Sequence, residues 1–145
     1  MLALNAANVI ETGALTAREL SALVASSFCT RIAPPDQALC LALDERASYT
    51  SPNYLWFRER FERFVYVDRV IVAASARGQG LARALYADVM AVARSAGHRQ
   101  LCCEVNIHPA NPASDAFHAS LGFLEVGTAV QHDRGKTVRY LVRQL

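Results

Sequence analysis

The sequence predicts a mixed α/β fold with helices covering a sheet, and three stretches carry that reading. Phe64–Ala73 (FVYVDRVIVA) is a nearly continuous apolar and β-branched run, as a strand buried on both faces requires. Gly80–Ala96 places Leu81, Leu85, Val89 and Val92 at spacings of 4, 4 and 3, one apolar helical stripe. In Leu101–Ile107 the residues Leu101, Cys103, Val105 and Ile107 alternate with Cys102, Glu104 and Asn106, the two-residue period of a strand. Strand, helix and strand in succession make a layered α/β architecture. The 145 residues suit one domain over 1–145.

The remaining elements follow in order. Thr16 is a fitting N-cap for a helix over Ala17–Ser26, with Glu19 placed to complete a capping box. Phe28–Ala33 and Ala38–Leu43 read as a hairpin around Pro34-Pro35-Asp36-Gln37. A short helix is expected from about Tyr54 to Arg63. The aromatics of Tyr49–Phe57 serve either as a lid on the core or as a pocket wall. Gly97 ends the long helix. Asn111 and Pro112 open another as N-cap and first residue, and it stops at Gly122. Leu124–Gln131 and Thr137–Val142 close the chain as a hairpin around Asp133-Arg134-Gly135-Lys136.

Composition excludes several classes. A hydrophobic fraction of 52% excludes a disordered chain. A net charge of +2 without a basic tract gives no reason to expect a nucleic-acid partner. The first twenty residues lack a basic n-region, and Asn5, Asn8 and Glu11 interrupt their apolar run, so neither export nor a membrane span is expected. Cys29, Cys40, Cys102 and Cys103 lack scaffold or zinc spacing and read as free thiols in a reducing, cytoplasmic setting. No metal is expected: His108, His118, Cys102 and Cys103 match no zinc pattern, and His98 and His132 fall in turns where solvation is expected.

The chemistry concentrates at Val72–Ala82, where a buried strand enters a glycine loop and then a helix N-terminus. Unpaired N–H groups and the helix dipole suit an anion there. Gly78 and Gly80 permit close backbone approach, and Arg77 adds a charge. A dinucleotide fingerprint would need glycine at position 83, which is Arg83. Gly135-Lys136-Thr137 lacks the first glycine of a phosphate loop, position 130 being Val. The loop therefore suits a diphosphate-like group, or else a turn that needs glycine only for packing.

Arg77-Gly78-Gln79-Gly80-Leu81-Ala82 resembles the R/Q-x-x-G-x-G/A signature of the GNAT (Gcn5-related) N-acetyltransferases. Asn111, Ser114, Phe117 and Leu121-Gly122-Phe123 resemble that family's second helical motif, and element order agrees over Phe28–Leu145. Ser51-Pro52-Asn53-Tyr54, Tyr66–Arg69 and Asn111–Phe123 are also similar to a bacterial subgroup of acetyltransferases. The resemblance implies acetyl-CoA as co-substrate, in a V-shaped opening between the strands ending at Ala73 and near Ile107. It implies that the amides of Ile71, Val72 and Ala73 bind the pantetheine arm. The amides of Gly78, Gln79, Gly80, Leu81 and Ala82, with Arg77, would hold the pyrophosphate. Asn111, Ser114 and Phe117 would flank the cofactor, and the acceptor amine would attack the thioester directly in a ternary complex.

Three groups are candidates for the proton transfers. Asp68 shares a strand face with Phe64, Tyr66, Val70 and Val72, where apolar surroundings would raise a carboxyl pKa. It is the first candidate base, or else an arginine-paired structural group. Glu104 is the second candidate, and a water chain a third route. His118 stands where the family often has a tyrosine, and serves either as the leaving-group acid or as packing beside Ser114. A backbone N–H near Val72 would donate to the thioester oxygen.

A small-molecule amine fits the aromatic segment better than a protein acceptor. The other readings are an acyl-CoA sensor without turnover and an interaction module pairing Phe123–Leu145 with another subunit. Against the family pattern the first strand is missing, and Met1–Asn8 resembles the end of the first helix. That leaves a sheet edge open to pairing, so a homodimer is expected as an option.

Overall fold

Thr16 and Glu19 form the expected capping box: the Glu19 amide donates to Thr16 Oγ1 and the Thr16 amide to Glu19 Oε2. Such a cap stabilises a helix by about 1 kcal/mol. The helix it starts spans Ala17–Ala25 in the computed structural model, which describes residues 1–33 and 36–145, the side chain of residue 11 aside. Two shorter helices precede it, α1 (Leu2–Ala6) and α2 (Val9–Thr12), so Ala17–Ala25 is α3. The hairpin follows as β1 (Cys29–Ala33) and β2 (Ala38–Asp44), paired antiparallel. Pro34 and Pro35 of its expected turn lie outside the described residues.

The aromatic segment folds as α4 (Pro52–Arg58), earlier and shorter than expected. Pro52 suits the first turn, where its missing N–H costs no bond. The amides of Arg60 and Phe61 both turn onto the Phe57 carbonyl and close its end. Tyr54 and Phe57 are fully buried, against Phe64 and Tyr66. The strong central elements are β3 (Val65–Val72), α5 (Leu81–Ser95) and β4 (Gln100–His108). They are followed by α6 (Pro112–Ser120), β5 (Leu124–Gln131) and β6 (Lys136–Gln144).

The six strands lie in the order β1-β2-β3-β4-β6-β5. All neighbours are antiparallel except β3 and β4. Among the described residues no strand precedes Cys29, and β1 forms one edge. Beneath α5 the core gathers Val65, Val67, Leu85, Tyr86, Val89, Leu101, Cys103 and Val105. On the opposite face Tyr54, Phe57, Tyr66, Cys102, Tyr140 and Val142 pack together. All four cysteines are free and buried, as the sequence suggests. Among the described residues no helix is long and apolar enough to cross a membrane.

One irregularity shapes the whole sheet. Opposite β2, Leu41 pairs with Arg69 and Ala42 with Val67, so Asp68 is the extra residue of a β-bulge. The bulge reverses the alternation of β3. Val65 and Val67 face the α5 core, and beyond it Val70 and Val72 pack on that same core. Asp68 therefore does not share a face with Val70 and Val72, as strict alternation suggested.

Candidate active site

The bulge bends β3 away from β4. The two parallel strands pair only at Val65–Leu101 and Tyr66–Cys102, and then diverge. The opening is a cleft of about 310 Å³, walled by Val67–Val72 of β3 and Cys103–Asn106 of β4. The start of α5 (Ala82, Tyr86) and of α6 (Asn111, Ala113, Ser114, Phe117) closes one side; Asn8 and Thr12 border it too.

The β3 edge is only partly available to a ligand. The Ala73 amide donates to the Gln37 carbonyl at 2.7 Å, so Ala73 faces β2. Strand alternation gives Ile71 the same direction and turns the N–H and C=O groups of Val70 and Val72 to the cleft. Of the three amides expected to meet pantetheine, Val72 is thus well placed, whereas Ile71 and Ala73 are committed to the sheet. Val70 was missed, because the bulge that sets the alternation leaves no mark in an apolar run.

At the loop, Gly78 and Gly80 adopt φ of +78° and +77°, and a Cβ on either would meet nothing within 4 Å. Packing therefore does not require these glycines; the left-handed backbone does. Gly80 is the N-cap of α5 and offers no side-chain cap to the first-turn amides, Leu81 and Ala82 included. Gln79 is exposed, and its side-chain amide points to the Ser75 carbonyl. Arg77 lies beside this ring of donors, reaching Asn8 Oδ1 at 3.1 Å and the Val72 carbonyl at 3.4 Å. The arrangement suits a diphosphate.

On α6, Asn111 Oδ1 accepts from the Ser114 amide at 3.1 Å, so Asn111 is an N-cap as well as a cleft wall. Phe117 meets Tyr86 edge to face with centroids 5.6 Å apart. His118 is buried and has both ring nitrogens engaged. Nδ1 lies 2.8 Å from the Ser114 carbonyl and Nε2 lies 2.8 Å from the Tyr86 hydroxyl. A carbonyl can only accept, so Nδ1 carries the proton and the Tyr86 hydroxyl donates to Nε2. Burial lowers the His118 pKa and favours this neutral ring. His118 lines the cleft, and the engagement of both its nitrogens agrees with the packing reading beside Ser114. It contacts Tyr86 and Ser114, two residues that line the cleft with it.

The two carboxylates exchange rank. Asp68 is not in apolar surroundings: Arg69 Nε donates to its Oδ2 at 2.6 Å and Tyr49 Oη to its Oδ1 at 2.7 Å. Arg69 is itself buried and also donates to Asn5. Glu104 is the perturbed group, pushed up to about 7 by burial first and then by the Asp68 charge. Tyr66 and the Asn53 amide partly offset that rise. Asn53 Nδ2 donates to Glu104 Oε1 at 2.8 Å, and among the described residues Glu104 Oε2 has no hydrogen-bond partner. Asn53 Oδ1 in turn accepts from Gln131 and from Tyr140 Oη, which fixes the amide orientation.

A second cavity of about 80 Å³ meets the cleft at Asp68, Arg69, Glu104 and Asn106. Thr12 borders both spaces, and the other walls of the second include Tyr49, Asn53, Arg134 and Lys136. The two carboxylates thus stand where the spaces join.

Away from this junction, His98 departs from expectation. It is buried against Phe28, with Nδ1 3.7 Å from Glu45 Oε2. Asp44, Glu45 and His98 bring metal-type ligand atoms within 4.8 Å of one another, at the end of β2 opposite the cleft. Both Asp44 oxygens already accept from Arg46. His108 and His132 are exposed.

The comparisons agree with this fold. Residues 34–123 match the model of the acetyltransferase (GNAT) family, and the chain belongs to that family. The chain is similar to a candidate GNAT-family acetyltransferase from Desulfovibrio desulfuricans, with 20% identity and a TM-score of 0.56 over 77% of this chain and 64% of that one. It is similar to a protein assigned as a phosphinothricin N-acetyltransferase, with 17% identity and a TM-score of 0.69 over 100% of this chain and 90% of that one. It is also similar to yncA of Salmonella typhimurium, solved with its cofactor acetyl-CoA, with 20% identity and a TM-score of 0.53 over 74% of this chain and 57% of that one. Several of these relatives are thus spanned over less than two thirds of their length. Among curated proteins no significant match is found.

Proposed function

We propose that this protein is an N-acetyltransferase that moves the acetyl group of acetyl-CoA onto a small primary amine by direct attack. One observation carries the reading: Glu104, its pKa pushed up to about 7, stands where the cleft of about 310 Å³ between β3 and β4 joins a second, polar cavity. A base poised near the working pH is the efficient one for an amine, and such a base contributes about 10²–10⁴-fold.

The chain's own groups divide the work. The first-turn amides of α5 and Arg77 hold the pyrophosphate, and the cleft-facing backbone of Val70 and Val72 takes the pantetheine arm as a strand partner. A Val70 or Val72 N–H donates to the thioester oxygen as negative charge develops there. Glu104 accepts the proton that the nitrogen loses as the new C–N bond forms. The leaving thiolate emerges near α6, where the Ser114 hydroxyl donates to it; the Tyr86 proton is already given to His118 Nε2. Asp68 holds Arg69 and Tyr49 and sets the charge that raises Glu104.

The test is native mass spectrometry for carried CoA, then a panel of amines monitored for thiol release. Release that depends on an amine supports the transferase. CoA retained with no release for any amine selects the acyl-CoA sensor, a reading favoured by the engagement of both His118 nitrogens.

A further inference from the structure

Resting on the transferase reading, we infer that the acceptor is an amine that also carries a carboxylate or a similar oxyanion, the amino-acid class of substrate. The second cavity is lined by groups of both signs. Asp68, Glu104 and Arg69 line both it and the cleft, and the Asp68 charge is answered by Arg69. Arg134 and Lys136 line it from the β5–β6 turn.

The turn places these cations for local reasons. His132–Arg134 form one turn of 3-10 helix, and Gly135 follows with φ +59°, reversing the chain into β6. Lys136 Nζ donates to the Ile10 carbonyl at 2.8 Å and ties this turn to α2. Arg134 is exposed, and its contact to Asp133 is a loose 4.0 Å.

Arg69 and Gln131, which also line the cavity, are already engaged. Arg69 is held by Asp68 and Asn5, and Gln131 donates to Asn53. The cationic charge available to a ligand oxyanion therefore comes from the turn. A diamine would bring a second positive charge toward Arg134 and Lys136. A plain alkylamine would desolvate this end without answering it. An acceptor with an amine at one end and an oxyanion at the other matches both. The cavity volume of about 80 Å³ sets a small size, well below the roughly 300–1,000 Å³ of drug-sized sites.

The experiment measures thiol release with free amino acids, their carboxamides, and alkylamines of matched length. Hydrogen bonds to charged groups contribute ~1.5–3 kcal/mol, so kcat/KM for the acids should exceed that for the carboxamides by roughly 10–100-fold. Arg134→Gln with Lys136→Gln should raise KM for the acids and collapse that ratio toward one. Arg134→Gln alone, at an exposed position, should lower the ratio in part if the double variant folds poorly. Equal or better turnover of carboxamides or alkylamines overturns the inference and leaves the transferase reading standing. An unchanged ratio in the variants does the same. No release with any amine overturns both.

Discussion

The two edges of β4 behave differently. Toward β6 it is paired from Gln100 to His108, whereas toward β3 it pairs at only two positions before the strands part. The same residues, Cys103–Asn106, thus have one edge closed by backbone and one edge opened to a cleft. The closed side keeps β4 rigid while the bulge at Asp68 swings β3 away. A ligand entering the gap would meet the strand groups of Val70 and Val72, and beyond them the first turn of α5, which has no side-chain cap. Glu104 stands on the rigid strand, and Asn53, held by Gln131 and Tyr140, fixes one of its oxygens.

If the open edge is the catalytic one, Glu104→Gln should give the largest effect, a turnover loss of about 10²–10⁴-fold. Acetyl-CoA affinity should change little by titration. Because the working base is the deprotonated form, wild-type kcat/KM should fall as pH falls through about 7. A profile flat through that range, or a Glu104→Gln enzyme with wild-type turnover, would put the base elsewhere.

Asp68→Asn tests the bulge. Removing one partner of a buried ion pair costs about 3–5 kcal/mol, because Arg69 keeps its charge. Chemical denaturation should show a loss of that order; unchanged stability with lost turnover would return Asp68 to the role of base. Arg77→Glu with Gly80→Glu places acidic groups at the anion site. Loss of charge-assisted bonds of roughly 1.5–3 kcal/mol should weaken acetyl-CoA about 10–100-fold or more. Unchanged affinity would remove the pyrophosphate from this loop.

The closed side has its own, smaller test. A Cβ on Gly127 of β5 would come within 2.7 Å of the Trp56 ring, which is stacked on Tyr140 at 4.2 Å. Gly127→Ala should therefore lower stability by about 1–3 kcal/mol and leave acetyl-CoA affinity as it was. A melting temperature equal to the wild type would show that the ring gives way freely.

Much of this was legible in the sequence because the central elements are long and periodic. β3, α5 and β4 fall within a residue or so of their expected bounds, and the glycine motif sits at the loop that joins them. The bulge was not legible: an extra residue in a run buried on both faces leaves its apolar pattern unchanged. That hid which face Asp68 takes and which amides of β3 are free. Asn53 was visible within Ser51–Tyr54, yet its bond to Glu104 spans 51 residues and no local spacing shows it. His98 looked solvated beside Gly97, but Phe28 from a distant segment covers it. The short helices α1 and α2 have too few turns for a period, and their Asn5, Asn8 and Thr12 reach Arg69, Arg77 and the cleft.

The most direct test of the open edge is amide hydrogen exchange of the whole protein with and without acetyl-CoA. The Val70 and Val72 amides and the first-turn amides of α5 should slow on binding, while those of β4 paired with β6 stay as slow as before. Binding of acetyl-CoA with no added protection at Val70, Val72 or Gly80–Ala82 would contradict the account.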